Sequence, residues 1–504
     1  MSLAKAHGAI ITGVSGLVVT IEAYLSQGLP GLTLVGLADT AVGESRDRVR
    51  AAIQNSKLAW PGERRITIGL SPASVHKRGA MLDLGIALAL LAAHQQIPER
   101  LDVAAIGELS LDGTVNEVRG ALVAALAARN AGIEILLLPH TQVAEAELVP
   151  GIKVIGVSSL NDAVAFFRGE SFAVPEVGPQ SFVSPSSSDL SDVRGQPDAR
   201  LALELAAAGG HHLAMVGSPG VGKTMLASRL PSLLPELPDD LAVTVTGIHS
   251  IAGLLKPGQG LIREAPFQAP HHSATATSLI GGGTSHVRVG MVTLAHGGVL
   301  CLDEAAEFHR VVLDALRVPL ESGEVVISRS GFTSRLPARF QLVLAANPCP
   351  CGMFVDSGDQ CSCTPQTRRK YFSRLSGPLL DRVDVRVALA KPTMADFDPE
   401  LEPENSAVVA SRVLQAREVA LNRYAGQPWL CNAEVPGPIM RKHFPISLEA
   451  MRMLRRTCGG LSARGIDRIF KLAWTIADIN HHGQPTAQDV ELALHLRDGA
   501  GLWQ

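Results

Sequence analysis

Hydrophobic residues in the first third of the chain alternate between short apolar runs and longer Ala-rich stretches. Runs such as LTLVGLAD, RRITIGLSP, EILLLP and KVIGV are typical of strands that end in turns, whereas LDLGIALALLAA and ALVAALAARNAG are typical of helices. Residues 8–20 are apolar, but they are broken by glycine and rich in β-branched residues, which predicts strands and a turn rather than a signal peptide. The pattern predicts an α/β or α+β domain over residues 1–172.

The pattern changes twice further along the chain. Residues 173–188 are rich in Pro and Ser with few charges, which is typical of a linker. Apolar strands and helices alternate again over residues 189–395. From 396 to 504 the spacing is helical, as in SARGIDRIFKLAWTIADI, and Thr486 is placed to cap the helix that follows it. The sequence therefore predicts an N-terminal domain, a linker, an α/β core and a helical C-terminal region.

Composition narrows the class of protein. The 504 residues are 46% hydrophobic and 4% aromatic, with a net charge of −3, so ordinary aliphatic cores are expected. A chain of this charge is not coated in positive charge, and nucleic-acid binding would need a local patch or an assembly that repeats a few cations. No apolar run reaches the length of a membrane span, and the thiols are clustered rather than spread as in a disulfide framework. We therefore expect a cytoplasmic protein with no membrane contact.

The strongest motif is GSPGVGKT at residues 217–224, which matches G-x-x-x-x-G-K-[ST] in full. An apolar run precedes it, and TMLASRLPSLL, a predicted helix, follows it. Glycines let the backbone approach phosphates with its N–H groups turned inward, Lys223 would reach the β- and γ-phosphates, and Thr224 would hold Mg²⁺. The predicted nucleotide-binding residues are Gly217, Ser218, Pro219, Gly220, Val221, Gly222, Lys223 and Thr224.

Two further apolar runs end in polar residues. GVLCLDEAAEF leads into Asp303 and Glu304, and FQLVLAAN ends at Asn347. Asp303 would hold Mg²⁺, Glu304 would polarise the attacking water, and Asn347 would position water or sense the γ-phosphate. Alone, the carboxylate pair is a weak signal and Asn347 before a proline is an ordinary turn residue. Together with the phosphate-binding motif, the three residues predict an NTPase site.

Long blocks of the chain resemble the YifB/ComM family of magnesium-chelatase-like AAA+ ATPases. The blocks are DVRGQPDARLALELAAAGGHHLAMVGSPGVGKTMLA, APHHSATATSLIGGG, LAHGGVLCLDEAAEF, LAANPCPCG and RLSGPLLDRVD. The resemblance implies an AAA+ P-loop NTPase core at 189–395, a helical lid at 396–504, and ATP with Mg²⁺ as ligands. It also matches Arg382 to the arginine finger that serves a neighbouring subunit, and Arg464 to the second sensor. The alternative for both is a surface arginine on an amphipathic helix. A finger requires a ring, and the family implies a homohexamer.

Residues 1–172 resemble the Lon protease domain, an α/β fold of the ribosomal S5 domain 2-like type. The segments HKRGAMLDLGIALALLAA and AAIGELSLDGTVNEVRGALVAALAARNAGIEILLLP look like those that carry the catalytic serine and lysine. By alignment the serine position falls at Met81 and the lysine position at Leu122, and neither side chain can do this chemistry. We therefore expect no Ser–Lys protease activity.

Basic residues in two segments are candidates for contact with DNA. EVVISRS and TSRLPARF flank Gly331 and predict a β-hairpin, which resembles the pore hairpin of chelatase-like rings. Arg329 and Arg335 on it would contact DNA phosphates; the alternative is solvated charge on an exposed ribbon. The run TRRKYFSRLSG at 367–377 is equally compatible with DNA or with a subunit interface. We expect no metal at His271 and His272, because no acidic or thiol partner stands at ligand spacing.

Four of the seven cysteines form two C-x-C pairs within NPCPCGMFVDSGDQCSCTP. Four thiolates can complete a tetrahedral Zn²⁺ site, although the one-residue spacing is tighter than the usual two. Two disulfides and a loop of unligated thiols are the alternatives. Because this insert has little apolar content to pack, we expect a structural zinc to brace it between Asn347 and Arg382. The predicted ligands are Cys349, Cys351, Cys361 and Cys363.

These features predict an ATP-driven, ring-shaped DNA motor. The family resemblance implies helicase or branch-migration work in recombination, of the natural-transformation type, on single-stranded or branched DNA passing through the pore. An ATP-dependent protease is disfavoured by the missing dyad. A chelatase-like remodelling factor is an alternative, although chelatases of this type lack the Lon-like domain. A nucleotide switch is disfavoured by the intact Lys223, Asp303, Glu304 and Arg382.

Overall fold

The chain folds into two compact units. A computed structural model describes residues 2–36, 40–77, 79–173, 188–283, 288–329, 332–354, 361–398, 402–457 and 462–498. Unit 1 contains the described residues of Met1–Val183, Ala242–Ile262 and Thr284–Arg288. Unit 2 contains the described residues of Ser184–Leu241, Arg263–Gly283 and Val289–Gln504. Most of the predicted linker at 173–188 lies outside the described residues.

The elements before residue 170 alternate strands and helices, as the hydrophobic pattern predicts. They are β1 (Ser2–Thr12), β2 (Ser15–Ser26), β3 (Gly31–Val35), α1 (Thr40–Asn55), β4 (Arg65–Ser71), α2 (Asp83–Ala93), β5 (Val103–Ala105), β6 (Glu108–Leu109), β7 (Val115–Asn116), α3 (Ala121–Asn130), β8 (Ile135–Pro139), α4 (Val143–Ala146), β9 (Lys153–Val157) and α5 (Leu160–Arg168).

Unit 1 is built on a mixed seven-stranded sheet in the order β3-β4-β2-β1-β5-β8-β9. The long hairpin of β1 and β2 pairs from Ser2 with Leu25 to Thr12 with Ser15, and Gly13 makes the turn with a φ of +65°. Nearly every residue of α2 is buried, which explains why its sequence is apolar on all sides rather than amphipathic. The predicted strands and helices of this region are confirmed.

Unit 1 also includes a segment far along the sequence, Ala242–Ile262. Val243, Ile251 and Leu261 of this segment pack against an apolar cluster formed largely by α3 and its neighbours. The packing is close, because a Cβ added at Gly247 would lie 3.0 Å from Val123. Hydrophobic periodicity cannot reveal this grouping, and the predicted core at 189–395 is therefore interrupted.

The elements after residue 190 continue the numbering. They are α6 (Pro197–Gly209), β10 (Leu213–Gly217), α7 (Lys223–Ala227), α8 (Leu230–Leu233), α9 (Asp239–Ala252), β11 (Phe267–Gln268), α10 (Ala276–Ile280), β12 (Gly281–Gly282), β13 (Arg288–Val289), α11 (Met291–Leu294), β14 (Val299–Leu302), α12 (Arg310–Ala315), α13 (Arg317–Ser322), β15 (Glu324–Arg329), β16 (Phe332–Pro337), β17 (Gln341–Ala346), α14 (Pro365–Phe372), α15 (Gly377–Leu380), β18 (Val385–Leu389), α16 (Ser406–Arg423), α17 (Gly437–His443), α18 (Leu448–Thr457), α19 (Ala463–Ile479) and α20 (Ala487–Asp498).

A five-stranded parallel sheet in the order β11-β14-β17-β10-β18 organises unit 2. All residues of β10, β14 and β17 are buried, which explains their continuous apolar sequences. Since the strands are parallel, the residues that follow these three strands meet at one edge of the sheet. That edge is where parallel α/β sheets usually bind ligands.

The helix predicted after the phosphate-binding motif is wrong in one respect. TMLASRLPSLL forms two short helices, α7 and α8, instead of one. Pro231 has no N–H to bond the carbonyl of Ala227, so the first helix ends at Ala227, and the proline lies in the first turn of the second helix.

The C-terminal helices α16 to α20 share one apolar core with α6 and β10. Thr486 accepts a hydrogen bond from the Asp489 N–H at the start of α20, as the sequence predicts, and Ser462 caps α19 in the same way. Buried polar contacts also join this region to the sheet, including one of 2.7 Å between His211 Nε2 and Thr475 Oγ1. None of the helices in the described part of the chain has the length and apolar content that crossing a membrane requires.

Candidate active site

The loop between β10 and α7 needs glycine at three positions. Gly220 and Gly222 have φ of +81° and +94°, a region that residues with a Cβ rarely adopt. A Cβ at Gly217 would lie 2.9 Å from Val221 and 3.0 Å from Leu389. The glycines of the motif are therefore fixed by backbone geometry and by close packing against β18.

Lys223 lies at the centre of this edge and is only 8% exposed. Its Nζ donates to the carbonyl oxygens of Gly217 at 2.7 Å and Ser218 at 2.9 Å, and to Asn347 Oδ1 at 3.1 Å. Burial lowers the pKa of Lys223, while the carboxylates of Asp303 and Glu304 oppose that shift. The structure thus brings the ends of β10, β14 and β17 together around one ammonium group.

Thr224 and Asp303 lie side by side. The Thr224 hydroxyl donates to Asp303 Oδ2 at 2.5 Å, and Asp303 Oδ1 accepts the N–H of Glu304 at 2.8 Å. A hydroxyl beside a carboxylate offers the hard oxygen ligands that Mg²⁺ prefers. The two residues predicted to hold Mg²⁺ are adjacent in the structure.

Glu304 has a partner that the sequence did not suggest. Its carboxylate lies 2.8 Å from Nδ1 of His272, whose ring stacks at 4.1 Å between centroids on that of His271. Glu304 itself has a left-handed backbone with φ of +50°. The acidic partner of this histidine pair is distant in sequence, so ligand spacing could not reveal it. The contact joins two side chains, and among the described residues the two histidines belong to no group of three or more side chains placed to hold a metal.

Part of the basic run at 367–377 is used within the unit. Arg374 donates to the carbonyl oxygen of Ala306 at 3.1 Å and to the Glu307 carboxylate at 2.9 Å, just beyond Glu304. Tyr371 is buried beside them, and burial raises its pKa. Arg369 and Lys370 are exposed, so the choice between DNA and a subunit interface now concerns these two residues.

Arg382 and Arg464 both lie beside the carboxylate of Glu321 rather than beside the phosphate-binding loop. Arg382 is only 6% exposed, and it donates to the Glu321 carboxylate and to the Pro378 carbonyl oxygen. The guanidinium of Arg464 lies 3.7 Å from the same Glu321 oxygen and is largely exposed. The alternative of a surface arginine therefore does not describe Arg382, and the shared Glu321 is a feature that sequence spacing missed.

The predicted hairpin is formed by β15 and β16, which pair antiparallel from Glu324 with Pro337 onward. Arg335 is exposed on β16 and lies 3.3 Å from the Glu324 carboxylate. The turn at 330–331 and the side chain of Arg329 lie outside the described part of the chain.

The four cysteines of the C-x-C pairs come together. All four sulfurs lie within 4.8 Å of one another, and Cys349 lies 3.3 Å from Cys351 and 3.7 Å from Cys361. A tetrahedral zinc with Zn–S bonds of about 2.3 Å would set sulfurs about 3.8 Å apart. Burial raises the pKa of Cys349 to about 12, whereas the Met353 N–H lowers that of Cys351 to about 6, which favours its thiolate, the form that binds metal. The donor set and spacing fit zinc.

Unit 1 places the aligned dyad positions in its core. Met81 and Leu122 are 8% and 0% exposed and belong to the same apolar cluster. The nearby Lys77 is buried, and its Nζ donates to the Pro72 carbonyl oxygen rather than to a serine. The two aligned positions thus hold apolar side chains, which supply neither the hydroxyl nor the amine that a Ser–Lys pair uses.

Comparison with known proteins finds three family matches along the chain. Residues 189–397 match the family described as magnesium chelatase, subunit ChlI, residues 21–142 match subunit ChlI of Mg-chelatase, and residues 403–497 match its C-terminal part. The uncharacterized protein YifB of Escherichia coli is 41% identical over 503 residues, 99% of this chain and 97% of that protein. The competence protein ComM of Haemophilus influenzae is 39% identical over 494 residues, 96% of this chain and 95% of that protein.

The chain belongs to the YifB/ComM family of magnesium-chelatase-like AAA+ proteins. The N-terminal region is also similar to the Lon protease of Trichlorobacter lovleyi, with 28% identity over 180 residues, 34% of this chain and 22% of that protein. The fold is therefore an AAA+ P-loop core with a helical lid, preceded by a Lon-protease-like α/β domain. For a YifB/ComM protein, the edge of the parallel sheet that carries Lys223 is the expected place for a nucleotide.

Proposed function

We propose that this protein hydrolyses ATP at the edge of the parallel sheet and uses the energy to move DNA. The observation that carries the proposal is the convergence of Lys223, Asn347, Thr224 and Asp303 from three neighbouring elements. In this scheme Lys223 binds the β- and γ-phosphates, while Thr224 and Asp303 hold the Mg²⁺ that neutralises phosphate charge. We place the protein in the cytoplasm, without membrane contact.

Glu304 is the residue that would activate water. Its carboxylate accepts a proton as the water oxygen attacks the γ-phosphorus, and the bond to the β-phosphate oxygen breaks to leave ADP. Its contact with His272 is one that the carboxylate must exchange for water. Asn347, already bonded to Lys223, is placed to hold that water or the γ-phosphate.

Arg382 would act as the arginine finger on the ATP of a neighbouring subunit in a homohexameric ring, and Arg464 would act as the second sensor on the helical lid. Both contact Glu321, and neither contacts Lys223, Thr224 or Asp303 through the hydrogen bonds and ion pairs of the described residues. A guanidinium that reaches a neighbour's γ-phosphate stabilises negative charge in the transition state. Exchanging a carboxylate for a phosphate partner would switch both arginines together.

Zinc bound by Cys349, Cys351, Cys361 and Cys363 would be a structural ion in this scheme. Four protein ligands leave no open position for water, so the ion supplies cross-linking rather than chemistry. The spacing of the four sulfurs supports this assignment.

DNA would pass through the ring and meet the hairpin of β15 and β16. Arg335 is exposed there, and Arg329 follows from the family resemblance. Contacts to phosphates are independent of base sequence and weaken with salt, so binding is expected to be sequence-tolerant and salt-sensitive. The name of the competence relative supports a role in competence. We propose that this role is branch migration or helicase activity in recombination, of the natural-transformation type.

A chelatase-like remodelling factor is the second candidate. The match of most of the chain to magnesium chelatase subunits favours it. Such a protein would hydrolyse ATP without DNA and act on a partner protein. An ATP-dependent protease is not supported, because Met81 and Leu122 occupy the dyad positions.

The test incubates purified protein with ATP, Mg²⁺ and either a forked or a four-way DNA junction. Strand displacement by the wild type that disappears in Lys223→Ala is the expected result. Lys442→Ala, a change of an exposed lysine on α17, serves as the matched control and should displace strands normally. Absence of displacement and of DNA-stimulated hydrolysis in the wild type would contradict the DNA motor.

A further inference from the structure

The first C-x-C pair forms a tight turn. The Gly352 N–H donates to the Cys349 carbonyl oxygen at 2.9 Å, and Gly352 has a left-handed φ of +76°. The Met353 N–H that follows points to the Cys351 sulfur. We call residues 349–354 the cysteine knuckle.

The knuckle packs directly on the phosphate-binding loop. A Cβ added at Gly352 would lie 2.6 Å from both Cγ and Cδ of Pro219, a separation that real Cβ atoms do not show. Pro219 is the third residue of GSPGVGKT, and its ring is rigid and joined to the loop backbone. Gly352 therefore lets its backbone approach the Pro219 ring more closely than a residue with a Cβ would.

The same stretch of chain touches the loop a second time. Asn347, two residues before Cys349, accepts from the Lys223 ammonium at 3.1 Å. Residues 347–352 thus meet the phosphate-binding loop at its third residue and again at its lysine. On its other side the knuckle is held by α14, since the Arg368 guanidinium lies 3.7 Å from the centre of the Phe354 ring.

We infer that metal bound to the four cysteines positions the phosphate-binding loop, so that zinc and nucleotide each strengthen the binding of the other. The inference rests on the proposed zinc and ATP sites, and it adds a mechanical link between them. A metal that fixes Cys349 and Cys351 fixes the turn at Gly352, which supports Pro219. Coupling of two binding equilibria is reciprocal, so the factor by which zinc favours nucleotide must equal the factor by which nucleotide favours zinc.

The test measures both halves of this cycle in the full chain. Zinc transfer to a coloured chelator is followed with and without ADP or a non-hydrolysable ATP analogue, and the zinc affinity is obtained from chelator competition. Nucleotide Kd is measured in zinc-loaded and zinc-depleted protein. We expect nucleotide to tighten zinc binding about fivefold or more, and zinc to tighten nucleotide binding by the same factor.

Two glycine variants separate the link from the sites themselves. Gly352→Ala adds the Cβ that collides with Pro219, and it should reduce the coupling factor to about twofold or less while one zinc remains bound per chain. Gly426→Ala is the matched control, because Gly426 has a φ of +79° and nothing lies within 4 Å of its added Cβ. Asn adopts a left-handed backbone more readily than Ala does. Gly352→Asn therefore keeps the collision with Pro219 but reduces the backbone strain, which separates the two effects.

The outcomes are distinguishable. Protein that binds no zinc overturns the proposed metal site, and protein that binds no nucleotide overturns the proposed ATPase. Zinc and nucleotide that both bind wild-type protein without affecting each other overturn the coupling and leave the two sites intact. If Gly352→Ala fails to fold, the wild-type cycle alone decides the outcome.

Discussion

Two regions of this chain resemble catalytic centres of known enzymes, and different side chains occupy them. At the edge of the parallel sheet in unit 2, Lys223, Asp303 and Asn347 keep the polar groups of an NTPase and contact one another or their neighbours. In unit 1, Met81 and Leu122 stand at the positions that align with a protease dyad, and they share an apolar cluster. A fold shared with an enzyme therefore carries the activity only where the polar site is kept.

The physical contrast lies in how each region satisfies burial. Lys223 is nearly buried, but its ammonium has three oxygen partners. Leu122 is fully buried among aliphatic side chains and has no polar group to satisfy. A buried charge without partners costs several kcal/mol. A single polar residue in the apolar cluster, or a single apolar residue in the polar site, should therefore destabilise the fold.

The largest expected effect concerns Arg382. Arg382→Ala should lower ATP hydrolysis about 10³-fold with nucleotide binding retained, because the charge of the transition state loses its cation. Mixing this variant with Lys223→Ala should restore part of the activity, since one subunit supplies the finger and the other the phosphate-binding loop. Phosphate release measures both.

The control for that experiment is Arg441→Ala, which removes another ion-paired arginine of unit 2. Its activity should be close to that of the wild type. Normal turnover by Arg382→Ala, or mixtures with no gain in activity, would contradict the claim that the ATP site needs Arg382 from a neighbouring subunit.

An attempt to restore a lysine to unit 1 should destabilise it rather than create a protease. Leu122→Lys places an ammonium in an apolar cluster and should cost more than about 3 kcal/mol of unfolding free energy. Leu122→Met conserves volume and should cost less than about 1.5 kcal/mol. Urea unfolding measures both. A Leu122→Lys protein as stable as the wild type would mean that this position is not the apolar core that the contrast requires.

Glu304→Gln tests whether Glu304 activates the attacking water. It should lower turnover about 10²-fold and leave ATP bound, because the amide cannot accept the proton of the attacking water. Glu307→Gln, a nearby carboxylate that pairs with Arg374, is the matched control and should change turnover less than about threefold. Equal losses in the two variants would show that Glu304 has no special role. Nucleotide binding and phosphate release are measured together.

The smallest effect concerns acid. His296 is buried, its Nδ1 accepts the Arg339 N–H at 3.1 Å, and burial lowers its pKa to about 4 from an ordinary 6.5. Between these two values the unfolded chain binds a proton that the folded chain does not, so stability falls as pH is lowered through this window.

The loss between pH 6.5 and pH 5 should be about 1.6 kcal/mol. Urea unfolding at pH 6.5 and pH 5 measures it, and His296→Asn, which keeps an acceptor but cannot titrate, should flatten the difference. If His296→Asn kept the pH dependence of the wild type, the buried His296 imidazole would not be the cause of the loss of stability in acid.

Hydrophobic pattern predicted the strands, most helices and the cap at Thr486, and motif spacing pointed to Lys223, Asp303 and Asn347, which the structure brings to one edge of the parallel sheet. These features depend on local periodicity or on short motifs. The break between α7 and α8 also has a local cause, Pro231, but the sequence pattern was interpreted as one continuous helix. The partnership of His272 with Glu304, the shared use of Glu321 and the contact of Gly352 with Pro219 could not be predicted, because each depends on how distant segments pack. The grouping of Ala242–Ile262 with unit 1 has the same origin.

The most direct measurement gives one preparation of wild-type protein ATP, Mg²⁺, forked DNA and labelled casein, and follows phosphate release and peptide cleavage together. We predict that DNA raises ATP hydrolysis, that Lys223→Ala abolishes ATP hydrolysis, and that casein stays intact. Hydrolysis that DNA does not change would contradict the motor. Casein cleavage that requires ATP and disappears in Lys223→Ala would contradict the contrast between the two regions.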